Sequence, residues 1–145
     1  MAAEPIIAQA SARAFLDQLD ADLGTGALIR IYTGAAPATC ETAASGTLLA
    51  EAAAGGGATL FDAATGTTTA SIALSAAVSD TSAPAPGTNV AGYFRLWDST
   101  ATTCYFQGTV GATGSGDDLE LASTSITQGD TVTISLLTIS LPTGG

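Results

Sequence analysis

After Gly26 the chain changes texture. Short runs of β-branched and aromatic residues alternate with clusters of Gly, Pro, Ser and Asp, at strand-length intervals, to the end of the sequence. Each run is too short for a stable helix and is closed by residues that favour turns. Many short strands with frequent turns predict a mainly β protein: an antiparallel β-sandwich or jelly-roll-like domain. The one exception lies near the N-terminus. Phe15, Leu16, Leu19 and Leu23 recur at helical spacing and make one apolar stripe, with Asp17, Asp20 and Asp22 mostly off it. Gly24 stands where a glycine ends a helix. The expected organisation is an arm over residues 1–10, small, apolar and broken by Pro5, followed by one domain over 11–145 with a short helix at about 11–23.

Within the β region the first strand is expected at Leu28–Thr33, stopped by Gly34 and Pro37. Residues 47–53 read as a short strand, and the three glycines at 55–57 as a turn. Residues 58–62 and 67–75 read as a hairpin about Ala64-Thr65-Gly66, and residues 79–89, with Pro84 and Pro86, as a surface loop. A second hairpin joins 90–98 to 103–110 through 99–102, with a loop at 111–116 and a short strand at 119–122. The closing stretch, 131–141, carries an irregularity. Val132, Ile134 and Leu136 alternate with polar residues, and then Leu137, Ile139 and Leu141 do so in the other phase. A one-residue slip turns every side chain to the other face. Either a β-bulge absorbs it, or the strand leaves one sheet and enters another.

Function is constrained mostly by what is scarce. The chain has no histidine and no lysine, and its three cations are Arg13, Arg30 and Arg95, against 13 acidic residues and a net charge of −10. Neutral-pH acid–base catalysis relies most often on His, and a Ser or Cys nucleophile here has no His to activate it. Paired carboxylates of glycosidase type are always available among so many acids, so they carry no signal. The expectation is a protein that is not an enzyme and needs no cofactor. Nucleic-acid binding needs clustered Lys and Arg, and the same negative charge is repelled by anionic membranes. The longest apolar stretches are strand-sized and the N-terminus has no signal-peptide pattern, so the chain reads as made and kept in the cytoplasm until release. Charged residues are only 11% of the chain, which leaves a Thr, Ser, Ala and Gly surface suited to protein contact.

Cys40 and Cys104 make no metal-ligand pattern and are expected as buried or half-buried thiols. A disulfide between them would close a long loop, is disfavoured in a cytosol, and becomes accessible only in an oxidising medium. Asp117, Asp118, Glu120 and Asp130 are the densest acidic group, but their spacing matches no EF-hand calcium loop. The most distinctive constellation is Tyr93, Arg95 and Trp97, which share one strand face opposite Val90, Phe94 and Leu96. Arginine among aromatics is the composition of an interface hot spot. It is equally the composition of an internal Arg–Asp pair that covers one side of a sheet. Arg30 and Tyr32 form a similar, weaker case.

Several stretches together resemble a known group. They are Leu28-Ile29-Arg30-Ile31-Tyr32-Thr33-Gly34 with Pro37, Gly46-Thr47-Leu48-Leu49-Ala50-Glu51, Ala91-Gly92-Tyr93-Phe94-Arg95-Leu96-Trp97-Asp98, Gln107-Gly108-Thr109-Val110-Gly111, Asp118-Leu119-Glu120-Leu121 and the closing residues 131–142. In this order they resemble small virion structural proteins of tailed bacteriophages, of the head decoration or cement type, over about residues 11–142. The resemblance implies a β-sandwich or jelly-roll module on the outer capsid surface that clamps shell subunits. It implies the major capsid protein as partner and a homo-oligomer, dimer or trimer, since lattice sites are symmetric. Arg30, Tyr32, Tyr93, Arg95 and Trp97 are the candidate contact residues. A tail or neck component, or a carbohydrate-binding adhesin module using the exposed aromatics, are the alternative expectations.

Overall fold

The N-terminal helix and the first strand lie close to where periodicity places them. The computed structural model describes residues 6–143. Helix α1 spans Gln9–Leu23 and ends at Gly24, whose N–H still bonds back to the Asp20 carbonyl and whose φ of 72° turns the chain out of the helix. The helix thus takes up the end of the expected arm, and residues 1–5 of that arm lie outside the described residues. Ala12, Leu16 and Leu23 are buried and Leu19 packs beside them. Phe15 is a correction to the expected stripe: it is 62% exposed. It sits about 100° round the helix from Leu16, while Ala12, being small, lets the other face lie close to the sheet.

One sheet dominates the fold. Its order is β2 (Leu48–Ala53), β1 (Leu28–Thr33), β5 (Thr88–Trp97), β6 (Cys104–Ala112) and β7 (Leu119–Leu121). Neighbours run antiparallel except β6 and β7, which are parallel. β8 (Ser125–Thr127) pairs with the start of β5. The inward face carries Ile29, Ile31, Phe94 and Leu96, all fully buried. Two short ribbons, β3 (Thr69–Ala73) with β10 (Thr138–Pro142) and β4 (Val78–Asp80) with β9 (Val132–Ile134), supply a second layer that buries Ile72, Ile134, Leu137 and Ile139. The helix packs on the first ribbon, and β2 and β7 meet the second. The arrangement is mainly β and sandwich-like, with its core between the main sheet and the ribbons.

The closing stretch resolves the phase slip. Residues 131–141 are two strands in different ribbons, so the chain changes partner between them. At the crossing Leu136 is 67% exposed while Leu137 is 1% exposed, and inward alternation resumes in the opposite phase. Two other expectations are corrected, and one strand falls where none is expected. The 58–75 hairpin has one regular strand, β3, whose partner side contributes only bridges at Phe61–Leu74 and Thr65–Ser71. The expected surface loop 79–89 starts inside β4, ends inside β5 and turns Ala83 and Ala85 into the hydrophobic core. β8 lies in a stretch too short and polar to be read as a strand.

Candidate functional site

Cross-strand pairing brings all five candidate residues onto the outer face of the main sheet. Arg30 stands opposite Arg95, Tyr32 opposite Tyr93, and Leu28 opposite Trp97. Like charges directly opposite are unfavourable, and the two guanidiniums are satisfied in different directions. Arg30 turns to β2, where its Nε donates to Glu51 at 2.6 Å in an ion pair. Burial works against the Arg30 charge, but the hydrogen bond and charge of Glu51 outweigh it and hold the group above its usual value. Among the described residues Arg95 has no carboxylate partner. Its Nε donates to Gln107 Oε1 at 3.1 Å, and its two terminal nitrogens donate to the carbonyls of Thr42 at 2.8 Å and Thr39 at 3.2 Å. The Trp97 ring lies about equally close to both cations, 6.0 Å from Arg30 and 5.7 Å from Arg95, and Tyr93 lies 5.9 Å from Arg95.

The two carbonyl partners, of Thr39 and Thr42, belong to a loop to which the sequence assigns no element. Residues 34–47 fold back over the sheet as a thin cover. Gln107 Nε2 donates to the Pro37 carbonyl, and Tyr93 Oη both donates to the Ser45 carbonyl and accepts from the Ser45 N–H. Tyr93 is aligned for this by stacking on Tyr32, with ring centroids 5.0 Å apart. The loop closes tightly at its base. A Cβ on Gly92 would lie 2.0 Å from the Gly34 carbonyl oxygen, and one on Gly46 would lie 2.3 Å from that of Thr33. Only glycine lets these backbones approach so closely.

The structure places the five candidates at different depths. Arg95 and Tyr93 are each 0% exposed, and Tyr32 is buried. The polar atoms of Arg95 and Tyr93 hold the loop, and Tyr32 stacks on Tyr93. Arg30 and Trp97 keep partial exposure. The internal alternative changes: the acceptors are carbonyl and amide oxygens, where an Asp was expected. A guanidinium can be held this way because its fork offers several donors in fixed geometry. Gln107, Ser45 and the carbonyls of Pro37, Thr39 and Thr42 were missed. Backbone acceptors leave no mark in a sequence, and Gly34 and Gly46 bracketing a stretch of small residues without strand alternation are the available hint.

The cysteine expectation is overturned. Cys40, in the loop, is joined to Cys104, at the start of β6, by a disulfide with the Cα atoms 5.5 Å apart. Cys104 lies opposite Trp97 in the sheet, so the covalent tie falls beside the Arg95 cluster. Glu41, next to Cys40, is held below the usual carboxylate range by hydrogen bonding from its own backbone N–H and from Thr39, with a contribution from the Arg95 charge.

The acidic group fastens turns. Asp118 accepts from the Thr109 N–H, Glu120 from those of Gly114 and Gly116, and Asp130 from that of Thr127. The Gly114 and Gly116 amides hold Glu120 below the usual carboxylate range. Among the described residues no group of three or more His, Cys, Asp or Glu is placed to hold a metal ion. A surface cleft of about 450 Å³ lies between Thr113, Glu120 and Leu136, and its two carboxylates are those already engaged with backbone amides. Among the described residues no helix is long and apolar enough to cross a membrane. No family model matches the chain, and no curated protein and no solved structure is significantly similar to it.

Proposed function

We propose that this chain is a structural protein of a tailed-bacteriophage virion, a head decoration or cement protein that binds the outer capsid surface and stabilises contacts between shell subunits. The observation that carries the reading is the place of the segments bearing the resemblance. Residues 28–34, 46–51, 91–98, 107–111 and 118–121 supply the five successive neighbours of one sheet, β1, β2, β5, β6 and β7. The sixth stretch, residues 131–142, supplies β9 and β10 of the two ribbons, so five of the six stretches fall in one contiguous structural unit. A low-charge surface and apolar side chains left exposed at Phe15, Val90 and Leu136 suit a protein whose work is contact.

In this reading the partner is the major capsid protein, the working form is a homo-oligomer matched to lattice symmetry, and the site of action is the capsid surface. Arg30 and Trp97 reach the surface and are the direct contact candidates. Tyr93 and Arg95 act through the loop they hold, and Tyr32 through its stacking on Tyr93. A carbohydrate-binding module draws less support, because Tyr93 lies beneath the loop and the Trp97 ring already lies near two guanidiniums.

The test is the copy number of the chain in purified virions, relative to the major shell protein. A simple lattice fraction, with heat stability of the head lost when the chain is removed, is the expected result. A handful of copies per particle moves the protein to the tail or neck. Absence from virions overturns the reading.

A further inference from the structure

The loop of residues 34–47 has no core of its own. None of its residues is buried, yet it covers Tyr93 and Arg95, which are wholly enclosed. Its attachment rests on the polar contacts of Tyr93, Arg95 and Gln107 and on the Cys40–Cys104 disulfide. Closure also leaves two unfavourable features. Among the described residues the buried guanidinium finds only neutral acceptors, and Trp97 Nε1 is buried without a hydrogen-bond partner. Opening would return both groups to water. A segment with few buried apolar contacts and enclosed polar groups beneath it belongs to the least stable part of a fold. The disulfide opposes that opening, and it is accessible. A surface cleft of about 310 Å³ is lined by both cysteines together with Glu41, Thr42, Trp97 and Thr102.

We infer that the Cys40–Cys104 pair is a redox-set clasp on this loop: with the thiols reduced the loop swings open as a unit and uncovers the Arg95 face, and oxidation locks it shut. The chemistry is thiol–disulfide exchange with an external low-molecular-weight disulfide such as oxidised glutathione. One cysteine thiolate attacks that disulfide, forming a mixed disulfide and releasing one small thiol. The second cysteine thiolate then displaces the other small thiol. One S–S bond breaks and one forms, two electrons pass from the protein to the external disulfide, and the two protons leave with the two small thiols. A chain made in a reducing cytosol would acquire the lock on reaching an oxidising medium. The inference concerns the isolated chain and stands whether or not the virion reading does.

Glutamates placed inside and outside the loop allow a direct test. Glu41 lies in the loop and Glu51 in β2 of the main sheet. The intact chain, oxidised with glutathione disulfide, reduced with dithiothreitol, or carrying Cys40→Ser with Cys104→Ser, is digested briefly with a glutamyl endopeptidase, and every sample is then quenched, denatured and fully reduced before its fragments are weighed. Cleavage after Glu41 should accelerate at least tenfold on reduction and in the double variant, with Glu51 uncut in all forms. Emission from Trp97, the only tryptophan of the chain, should shift to the red as its indole gains water. Equal cleavage at Glu41 in oxidised and reduced chains overturns the inference. So does simultaneous cleavage at Glu41 and Glu51 on reduction, which would make the disulfide a staple of the whole fold. Retention of both free thiols after incubation with glutathione disulfide also overturns it.

Discussion

Replacing Arg95 with alanine should cost far more stability than any surface substitution. The guanidinium is fully enclosed and makes three hydrogen bonds to Gln107, Thr42 and Thr39. Hydrogen bonds that involve a charged group contribute roughly 1.5–3 kcal/mol each. Their face-value sum is offset by the desolvation that an enclosed charge suffers, on the order of several kcal/mol. The carbonyls of Thr39 and Thr42 sit in exposed residues and can be rehydrated once the loop loosens. A net loss of about 3 kcal/mol results. With a urea slope of roughly 2 kcal/mol per molar for a chain of this size, the unfolding midpoint should fall by about 1.5 M. The assay is urea titration of the oxidised chain, followed by far-UV circular dichroism and by Trp97 fluorescence, with the two probes superimposing. Arg95→Lys keeps the charge but loses the fork, and should recover less than half of the loss. A contact residue on an open face would change stability by no more than about 0.5 kcal/mol. A midpoint for Arg95→Ala within about 0.3 M of the parent, roughly that surface-substitution limit at the same slope, would therefore refute the role of Arg95 as the anchor of the loop.

Two further predictions test other parts of the fold. Leu137→Ala should destabilise by about 2–4 kcal/mol and Leu136→Ala by less than about 0.5 kcal/mol, because only Leu137 is buried at the point where the chain changes ribbons; equal losses in thermal melts would mean a continuous bulged strand instead. Asp98 closes the β5–β6 turn by accepting from the N–H groups of Thr102, Thr100 and Thr103, which hold it below its ordinary value of 3.8. Its stabilising contribution is therefore fully present above that value and is lost as pH falls through its lower folded-state pKa. Asp98→Asn should be less stable than the parent at pH 7, with the gap closing in acid; a gap independent of pH down to the acid limit would remove this assignment.

The strands that alternate cleanly were legible from residue patterns alone. Leu28–Thr33 is a strand with the expected bounds, and the 90–110 hairpin needed only small extensions. The slip between Leu136 and Leu137 was visible too, but local pattern permits both a bulge and a change of sheet, and β4 and β3 as separate partners decide between them. Pairing of β7 with β6 in parallel was not legible, because direction depends on how the intervening turn runs, and that turn is shaped by Glu120 reaching back to two glycine amides.

The candidate site divides along the same line. Period-two spacing placed Tyr93, Arg95 and Trp97 on one face, and this is where the sheet holds them. Whether that face meets solvent or protein is not a property of a strand. It depends on residues 34–47, some fifty positions away, folding back over it and being tied by Cys40. Side-chain alternation is imposed by the backbone within a few residues and so can be read from them. Burial of a charge depends on long-range closure whose acceptors are carbonyls, which every residue carries and none advertises.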